Sequence, residues 1–454
     1  MSDEMLTLLP FALVVATALA VILVDLFWPR RDNLVMAVGL GGLSVALLAT
    51  VAIGPMPWDI GALSESASFG DPALYTRDLL TSLLDVTLIM VGILTLLFAP
   101  DYLTPRKLPL AEFSATLIFA ISGGMLIAGG QDLQILFIGL ELLVLPGYLL
   151  AGFAKRDGLS TEGAIKYFLL GSFSSAILLF GLAFVLGFTG NTQLAGIAAE
   201  LEGVMSCDEA LPLALAMGLA LLAVGVLFKI AAVPFHYWTP DAYQGSPTPV
   251  TGYLSVGPKI AAFALILRIF VEALSPLRGE WALIIGVLAA LTMTVGNLAA
   301  LGQDNIKRML AYSSIAHTGY MMVGLVVFAT ADDPAIAAAG VQGVLFYAVA
   351  YAFMNLGAFA VVAALQRRPG VTSQISTFAG LGYRAPVLAL LMTVFLLSLV
   401  GIPPLAGFFA KMTIVLSALE VGGGLTLLAV LMMLNAAMAA FYYLRVVVYM
   451  YMRK

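Results

Sequence analysis

The sequence predicts an all-α fold, a polytopic membrane helix bundle of about 13 transmembrane helices. The chain of 454 residues is 62% hydrophobic and only 10% charged, whereas soluble domains are roughly 45–50% apolar and about 25% charged. Its apolar runs repeatedly reach about 18 residues or more, the length that crosses a bilayer as a helix. An open sheet cannot satisfy its backbone in lipid, and these long runs do not alternate in polarity, which disfavours a transmembrane barrel.

The apolar segments also suggest a repeat. They lie near residues 5–27, 34–53, 78–98, 110–129, 131–153, 162–188, 211–234, 249–272, 281–301, 306–329, 336–365, 386–419 and 424–448. We expect an N-terminal three-helix segment (1–100), a first unit of helices 4–8 (101–275) and a second of helices 9–13 (276–454). An odd number of helices per unit gives the two units opposite orientation, as in inverted-repeat transporters.

Charge in the loops predicts the orientation of the chain. Fourteen basic residues fall in one set of alternate loops: Arg30, Arg31, Arg106, Lys107, Lys155, Arg156, Lys307, Arg308, Arg367, Arg368, Arg384, Arg445, Arg453 and Lys454. The other set contains only Arg77 and Arg278, with Arg268 near its boundary. The positive-inside rule places the first set in the cytoplasm and the N-terminus outside. The acidic N-terminus lacks the basic region of a cleaved signal peptide, so we expect the first helix to be retained.

Four lysines and one glutamate lie within apolar segments: Lys166, Lys229, Lys259, Lys411 and Glu141. A charge at the middle of a bilayer costs about 2.5–3.5 kcal/mol on insertion scales, so such residues usually face a bundle interior and mark an ion path. Lysine can release a proton when it is buried, whereas arginine cannot. Lysines at these positions therefore favour proton handling.

Structural alternatives remain open for several of these residues. Glu141 can form a structural ion pair, with Lys229 as one possible partner. Lys259 follows Gly-Pro early in its helix and can extend toward the cytoplasmic surface. Lys166 has Glu162 at the i−4 position, a spacing typical of a plain helix ion pair.

Two of the charged segments also contain helix breakers. Lys229 precedes Pro234, and Lys411 follows the run Gly-Ile-Pro-Pro at 401–404. Proline removes a backbone donor and clashes with the preceding turn, so it interrupts or bends a helix. Interrupted helices with ionisable residues at matching places in two halves indicate a transporter, although single prolines also bend membrane helices without further function.

Other chemistry is poorly supported. The two histidines, His236 and His317, can relay protons near neutral pH or be structural, and their isolation disfavours a metal site. Cys207 is the only cysteine, so neither an intrachain disulfide nor a cysteine-bound cluster is expected. Phosphate loops, dinucleotide fingerprints and basic runs are missing from the sequence. The turn formers at 238–249 predict a loop that covers the cytoplasmic face.

Four segments resemble the antiporter-like membrane subunits of respiratory complex I, most closely the subunit N type of bacterial NADH:quinone oxidoreductase. They are residues 139–143 (GLELL), 229–261 (KIAAVPFHYWTPDAYQGSPTPVT, continuing to GPKIA), 305–317 (NIKRMLAYSSIAH) and 401–411 (GIPPLAGFFAK). The resemblance covers roughly helices 3–13. It also implies one more membrane helix after 442–451, whereas this sequence ends at Lys454.

The resemblance implies roles for individual residues. Glu141 matches the helix-5 glutamate that partners the helix-7 lysine, here Lys229. Lys259 matches the helix-8 lysine between two half-channels, and Lys411 the helix-12 residue, whose identity as lysine favours subunit N over subunit M. The two histidines match positions often assigned to the hydrophilic axis.

The function expected from the resemblance is proton translocation coupled to quinone reduction elsewhere in the complex. No cofactor is expected in this chain, and NAD, FMN, iron–sulfur clusters and quinone are expected in other subunits. The expected partners are neighbouring membrane-arm subunits, including subunit M and small subunits, in the bacterial inner membrane. An Mrp-type cation/proton antiporter subunit and a non-conducting scaffold of the membrane arm remain as alternatives.

Overall fold

The computed structural model describes residues 3–55, 67–205, 211–367 and 370–453. Within these ranges, eleven helices are long and apolar enough to cross a membrane, which confirms the predicted polytopic helical fold. The two remaining apolar segments, near 211–234 and 386–419, contain shorter helices that end at the predicted breaks. Cys207 lies outside the described residues.

Among the described residues, seven α-helices and a short hairpin make up the first half of the chain. Their bounds are α1 Asp3–Phe27, α2 Asp32–Ile53, β1 Ala67–Phe69, β2 Tyr75–Arg77, α3 Leu79–Leu103, α4 Leu110–Gly129, α5 Leu133–Ala151, α6 Gly158–Thr189 and α7 Leu194–Met205. The two strands pair antiparallel, with Ser68 opposite Thr76.

The second half begins with four short helices. Their bounds are α8 Leu213–Lys229, α9 Trp238–Gly245, α10 Thr248–Leu254 and α11 Gly257–Ile266, and α11 continues as a π-helical turn, Leu267–Ala273. The remaining helices are α12 Arg278–Leu301, α13 Ile306–Thr330, α14 Pro334–Leu365, α15 Leu381–Arg384, α16 Pro386–Val400, α17 Ala406–Val421 and α18 Gly424–Met452.

The structure corrects one local prediction. The segment 238–249 is not a loop throughout, because α9 occupies most of it. Its proline, Pro240, lies in the first turn of α9, where proline removes no intrahelical hydrogen bond. Residues 246–247 separate α9 from α10, and the predicted helix near 249–272 is interrupted between α10 and α11.

The chain divides into two compact units. The first comprises residues 1–155, 168–226 and 257–276. In it, α4 packs against α1, α3 and α5, and its side chains Leu117, Ile118 and Ile121 are fully buried. The hairpin lies against α1.

The second unit comprises residues 156–167, 227–256 and 277–454. Helix α13 lies at its centre and packs against α9, α12, α14, α17 and α18. A Cβ at Gly319 of α13 would lie 2.5 Å from the backbone nitrogen of Met293 in α12. Only glycine permits this approach, which is typical of packed membrane helices.

Candidate functional site

The second broken helix holds Lys411. Helix α16 ends at Val400, and α17 begins at Ala406. From α17, the Lys411 ammonium donates hydrogen bonds to the carbonyls of Leu399 (2.8 Å) and Val400 (2.6 Å). These carbonyls belong to the last turn of α16, which carries partial negative charge and lacks intrahelical donors. The lysine therefore caps the helix that ends beside it.

Gly401 makes room for this lysine. Its φ of +94° lies in the left-handed region, where side chains are disfavoured. A Cβ there would lie 3.1 Å from Cδ and 3.3 Å from Nζ of Lys411. The glycine thus serves both the turn that ends α16 and the position of the lysine side chain.

The first broken helix holds Lys229 at the end of α8. The turn that follows includes Ala231 at a φ of +58°. Two threonines bind its backbone: Thr318 Oγ1 donates to the carbonyl of Ile230 (2.9 Å), and Thr292 Oγ1 accepts from the amide of Val233 (3.0 Å). Lys229 itself is 8% exposed. The freed backbone groups of this break are therefore bound by side chains from α12 and α13.

His317 lies among tyrosines in the middle of α13. Its Nδ1 is 2.6 Å from the Tyr347 hydroxyl, and its Nε2 is 3.2 Å from the Tyr443 hydroxyl. Tyr443 also bonds Ser313. Tyr320, one turn along from His317, packs edge-on against the imidazole and places its ring face 5.2 Å from the Lys411 ammonium. Hydroxyl groups accept and donate hydrogen bonds, so this tract can pass a proton.

The sequence pointed to His317 and Lys411 but not to these tyrosines. Tyrosine is common in membrane helices and carries no charge at neutral pH. Helical spacing supplied a usable signal, because Tyr320 lies three residues after His317. Tyr351, whose ring is 5.1 Å from the imidazole of His317, lies four residues after Tyr347, so each pair shares one helix face.

Lys166 belongs to a cluster at the start of α6. It pairs with Glu162 (2.6 Å), as its spacing predicts, and with Asp241 of α9 (2.7 Å). Arg308 of α13 also contacts Asp241 (2.6 Å) and Gln244 (3.1 Å). Partial burial alone would raise the pKa of Asp241, but hydrogen bonds from Lys166 and Arg308 and their positive charges hold it below its usual value. Asp241 thereby joins three elements of the second unit.

The remaining predicted residues lie in different surroundings. His236, between α8 and α9, is 7% exposed and its Nδ1 has no hydrogen-bond partner among the described residues. In the first unit, Lys259 begins α11 and is 3% exposed, so its ammonium does not extend to the surface. Glu141 lies in mid-α5, and its buried Oε1 has no hydrogen-bond partner in the described part of the chain.

Two arginines that charge counting had placed at or near the outer face are buried in ion pairs of the first unit. Arg77 contacts Asp85 at 3.2 Å, and both side chains are fully buried. Arg268 pairs with Asp78 (2.8 Å) and Glu272 (2.5 Å). Sequence spacing did not reveal the first pair, because its members lie on different elements. No group of three or more potential metal ligands occurs in the described residues.

Comparison with known proteins defines the class. A family described as "NADH:quinone oxidoreductase/Mrp antiporter, TM" matches residues 130–438. The chain belongs to this family of membrane subunits, which confirms the resemblance drawn from its motifs.

Curated relatives narrow the family to one type. The chain is 42% identical over 456 residues to NADH-quinone oxidoreductase subunit N 1 of Koribacter versatilis, covering 100% of this chain and 87% of the relative. It is 41% identical over 447 residues to NAD(P)H-quinone oxidoreductase subunit 2 of Synechocystis, covering 97% and 81%. The subunit N type is thereby confirmed.

Solved structures share the fold. A chain of respiratory complex I from Thermus thermophilus superposes with a TM-score of 0.77 at 31% identity, covering 98% of this chain and 90% of that one. A chain of the Mrp complex from Dietzia superposes with a TM-score of 0.84 at 22% identity, covering 100% and 81%. The second likeness concerns the fold alone.

Proposed function

We propose that this chain translocates protons as a membrane subunit of an NADH:quinone oxidoreductase, through Glu141, Lys229, Lys259 and Lys411. The observation that carries the proposal is the position of Lys411. Its ammonium is buried, capped by two carbonyls of a broken helix and adjacent to the Tyr320 and His317 tract. A buried amine beside proton-relaying groups is suited to bind and release a proton.

The order of the path follows the resemblance to the family. Protons would enter from the cytoplasmic side, pass by Lys229 and Lys259, and leave by Lys411, with Glu141 acting on Lys229. Lys229 and Lys411 each lie beside a broken helix, as in transporters built from inverted repeats. His317 and its tyrosines supply hydroxyl and imidazole groups for the outlet half. Lys166 is a positioning residue in this scheme, because its ammonium is paired with two carboxylates.

Quinone reduction and electron transfer would take place in other subunits of the complex. NAD, FMN, iron–sulfur clusters and quinone would bind there, and subunit M with small membrane subunits would adjoin this chain. We place the protein in the bacterial inner membrane with its N-terminus outside. Arg77 and Arg268, which the charge count assigns at or near the outer face, are each paired with a carboxylate. They therefore add no net positive charge to that face, which supports this topology.

Substitution of Lys411 tests the proposal in the assembled complex. Lys411→Met removes the titrating amine, and Lys411→Arg keeps a cation that cannot release its proton. We expect both variants to lower the number of protons moved per NADH oxidised in proteoliposomes, whereas Lys155→Met, a change in a loop, leaves it unchanged. Normal pumping by Lys411→Arg would show that only the positive charge matters and would contradict proton release at this residue.

The family match also favours a second candidate function, a subunit of a cation/proton antiporter, because the family description names both kinds of complex. It would use the same lysines without quinone chemistry. Purification from the native membrane separates the two: co-purification with flavin and iron–sulfur subunits supports the first function, and isolation with small antiporter subunits alone supports the second. A scaffold without conduction predicts full pumping in both Lys411 variants.

A further inference from the structure

Asn297 of α12 lies at the centre of a buried hydrogen-bond network in the second unit. Its amide nitrogen is 2.8 Å from the carbonyl of Met293, 2.8 Å from the Tyr320 hydroxyl and 3.1 Å from Oδ1 of Asn435. Its amide oxygen accepts from the Tyr442 hydroxyl at 2.9 Å. Asn297 is fully buried. Water cannot replace a hydrogen bond there, so it matters which group donates and which accepts in each contact.

The amide of Asn297 can take only one orientation. The Met293 carbonyl accepts and cannot donate. Asn435 points its own amide nitrogen at the Leu431 carbonyl (3.0 Å) and at Thr294 (3.2 Å), so its oxygen faces Asn297. A reversed Asn297 amide would set its oxygen against two acceptors. The amide nitrogen of Asn297 therefore faces the Met293 carbonyl and Oδ1 of Asn435, and the Tyr320 hydroxyl lies on the same side.

This orientation fixes the role of the Tyr320 hydroxyl. The two N–H groups of Asn297 are shared among three acceptors, on Met293, Asn435 and Tyr320. Because an amide nitrogen cannot accept a hydrogen bond, the Tyr320 hydroxyl hydrogen must point away from Asn297. Tyr320 is 1% exposed, and its hydroxyl donates no hydrogen bond to the residues described. A buried donor without an acceptor is costly, so the hydrogen is available to a group that enters the site.

The Lys411 amine can supply such an acceptor. The carbonyls of Leu399 and Val400 take two of its N–H groups, which leaves a third position. In the ammonium, that position holds an N–H bond. When the bond breaks, the proton leaves on a water molecule and the electron pair stays on nitrogen as an acceptor. The Tyr320 ring already lies 5.2 Å from this nitrogen.

We propose that Asn297 is a positioning residue for proton release, because it keeps the Tyr320 hydroxyl hydrogen available to the neutral amine of Lys411 through one bridging water. The network thereby stabilises the lysine after its proton has left. This inference rests on the proposed function and adds two residues, Asn297 and Tyr320, to the outlet.

Two variants test the inference in the intact complex. Tyr320→Phe keeps the ring and removes the hydroxyl. Asn297→Asp offers a carboxylate that accepts from the Tyr320 hydroxyl and diverts its hydrogen from Lys411. Tyr383→Phe, at a tyrosine that is 77% exposed, is the matched control. The measurement is the pH dependence of protons moved per NADH oxidised, with NADH oxidation and complex assembly recorded on the same samples.

Without the Tyr320 hydrogen bond, the amine holds its proton more tightly, and release requires a higher pH. We expect the acid-side half-maximal pH of pumping to rise by about one unit in both variants, the size of one hydrogen bond, and to stay unchanged in the control. A purely structural role would lower assembly or thermal stability without moving the pH profile. An unshifted profile in Tyr320→Phe would overturn the inference.

The Lys411→Met variant separates this inference from the proposed function. If Lys411→Met pumps normally, the proposed function fails. If Lys411→Met is impaired while Tyr320→Phe and Asn297→Asp keep the wild-type profile, only the inference fails.

Discussion

Replacing Gly401 by alanine tests whether Lys411 must keep its position at the end of α16. The change has two separable effects. A left-handed backbone costs a residue with a side chain roughly 1–2 kcal/mol. In addition, the new Cβ would lie 3.1 Å from Cδ and 3.3 Å from Nζ of Lys411, so the lysine must shift by a few tenths of an ångström.

The shift of Lys411 has a calculable effect. Its two hydrogen bonds, 2.8 Å to Leu399 and 2.6 Å to Val400, hold the ammonium from one side. Losing one hydrogen bond to a charged group costs about 1.5–3 kcal/mol. The charged amine would then favour its place at the end of α16 roughly tenfold to hundredfold less. Both bonds stabilise the charged amine, so proton binding at Lys411 should fall accordingly, and pumping per NADH should fall with it because fewer protons are taken up.

Gly380→Ala is the matched control. Gly380 also has a positive φ, +68°, but its nearest non-neighbouring atom would be 3.7 Å from the new Cβ, an ordinary contact. We expect similar losses of thermal stability in the two variants and a loss of pumping only in Gly401→Ala. Equal pumping in the two alanine variants would refute the argument that Gly401 positions the lysine.

Two further changes test clusters outside the outlet. Asp241→Asn should cost about 1 kcal/mol at neutral pH, because it weakens the contacts with Lys166 and Arg308, which are partly exposed. Since the pKa of Asp241 is lowered, its stabilisation is present above the ordinary carboxyl pKa of about 3.9 and is lost as pH falls through the lowered value. An equal loss of thermal stability at neutral and strongly acid pH would contradict this. Arg77→Met should cost about 3–5 kcal/mol by leaving Asp85 buried and unpaired, and Arg77→Met with Asp85→Leu should recover part of it. An unchanged thermal midpoint in the single variant would rule out a stabilising pair.

Much of the fold could be predicted because membrane helices are specified by long apolar runs. Each of the thirteen predicted segments contains helix, and both breaks fall where Pro234 and the prolines at 403–404 were expected to place them. The helix α9 was missed because Pro240 signals a turn, yet in the first helical turn it is tolerated. The hairpin was missed because three-residue strands leave little pattern.

The candidate site was predicted only where charge marked it. A lysine in an apolar segment stands out against its surroundings, and so Lys229 and Lys411 were found. Tyr320 and Asn297 are neutral, and their importance comes from partners on other helices, Lys411 for the first and Tyr442 for the second. Such contacts depend on the rotation and packing of helices, which hydrophobic periodicity alone does not determine.

The central claim is that protons cross the membrane through the buried carboxylate and amines of this chain. The most direct measurement is the ratio of protons moved to NADH oxidised, determined on the same proteoliposomes for wild type, Glu141→Ala and Lys229→Ala. The account predicts a lower ratio, or a parallel loss of coupled turnover, in both variants with the complex fully assembled. Wild-type turnover and a wild-type ratio in both would contradict it.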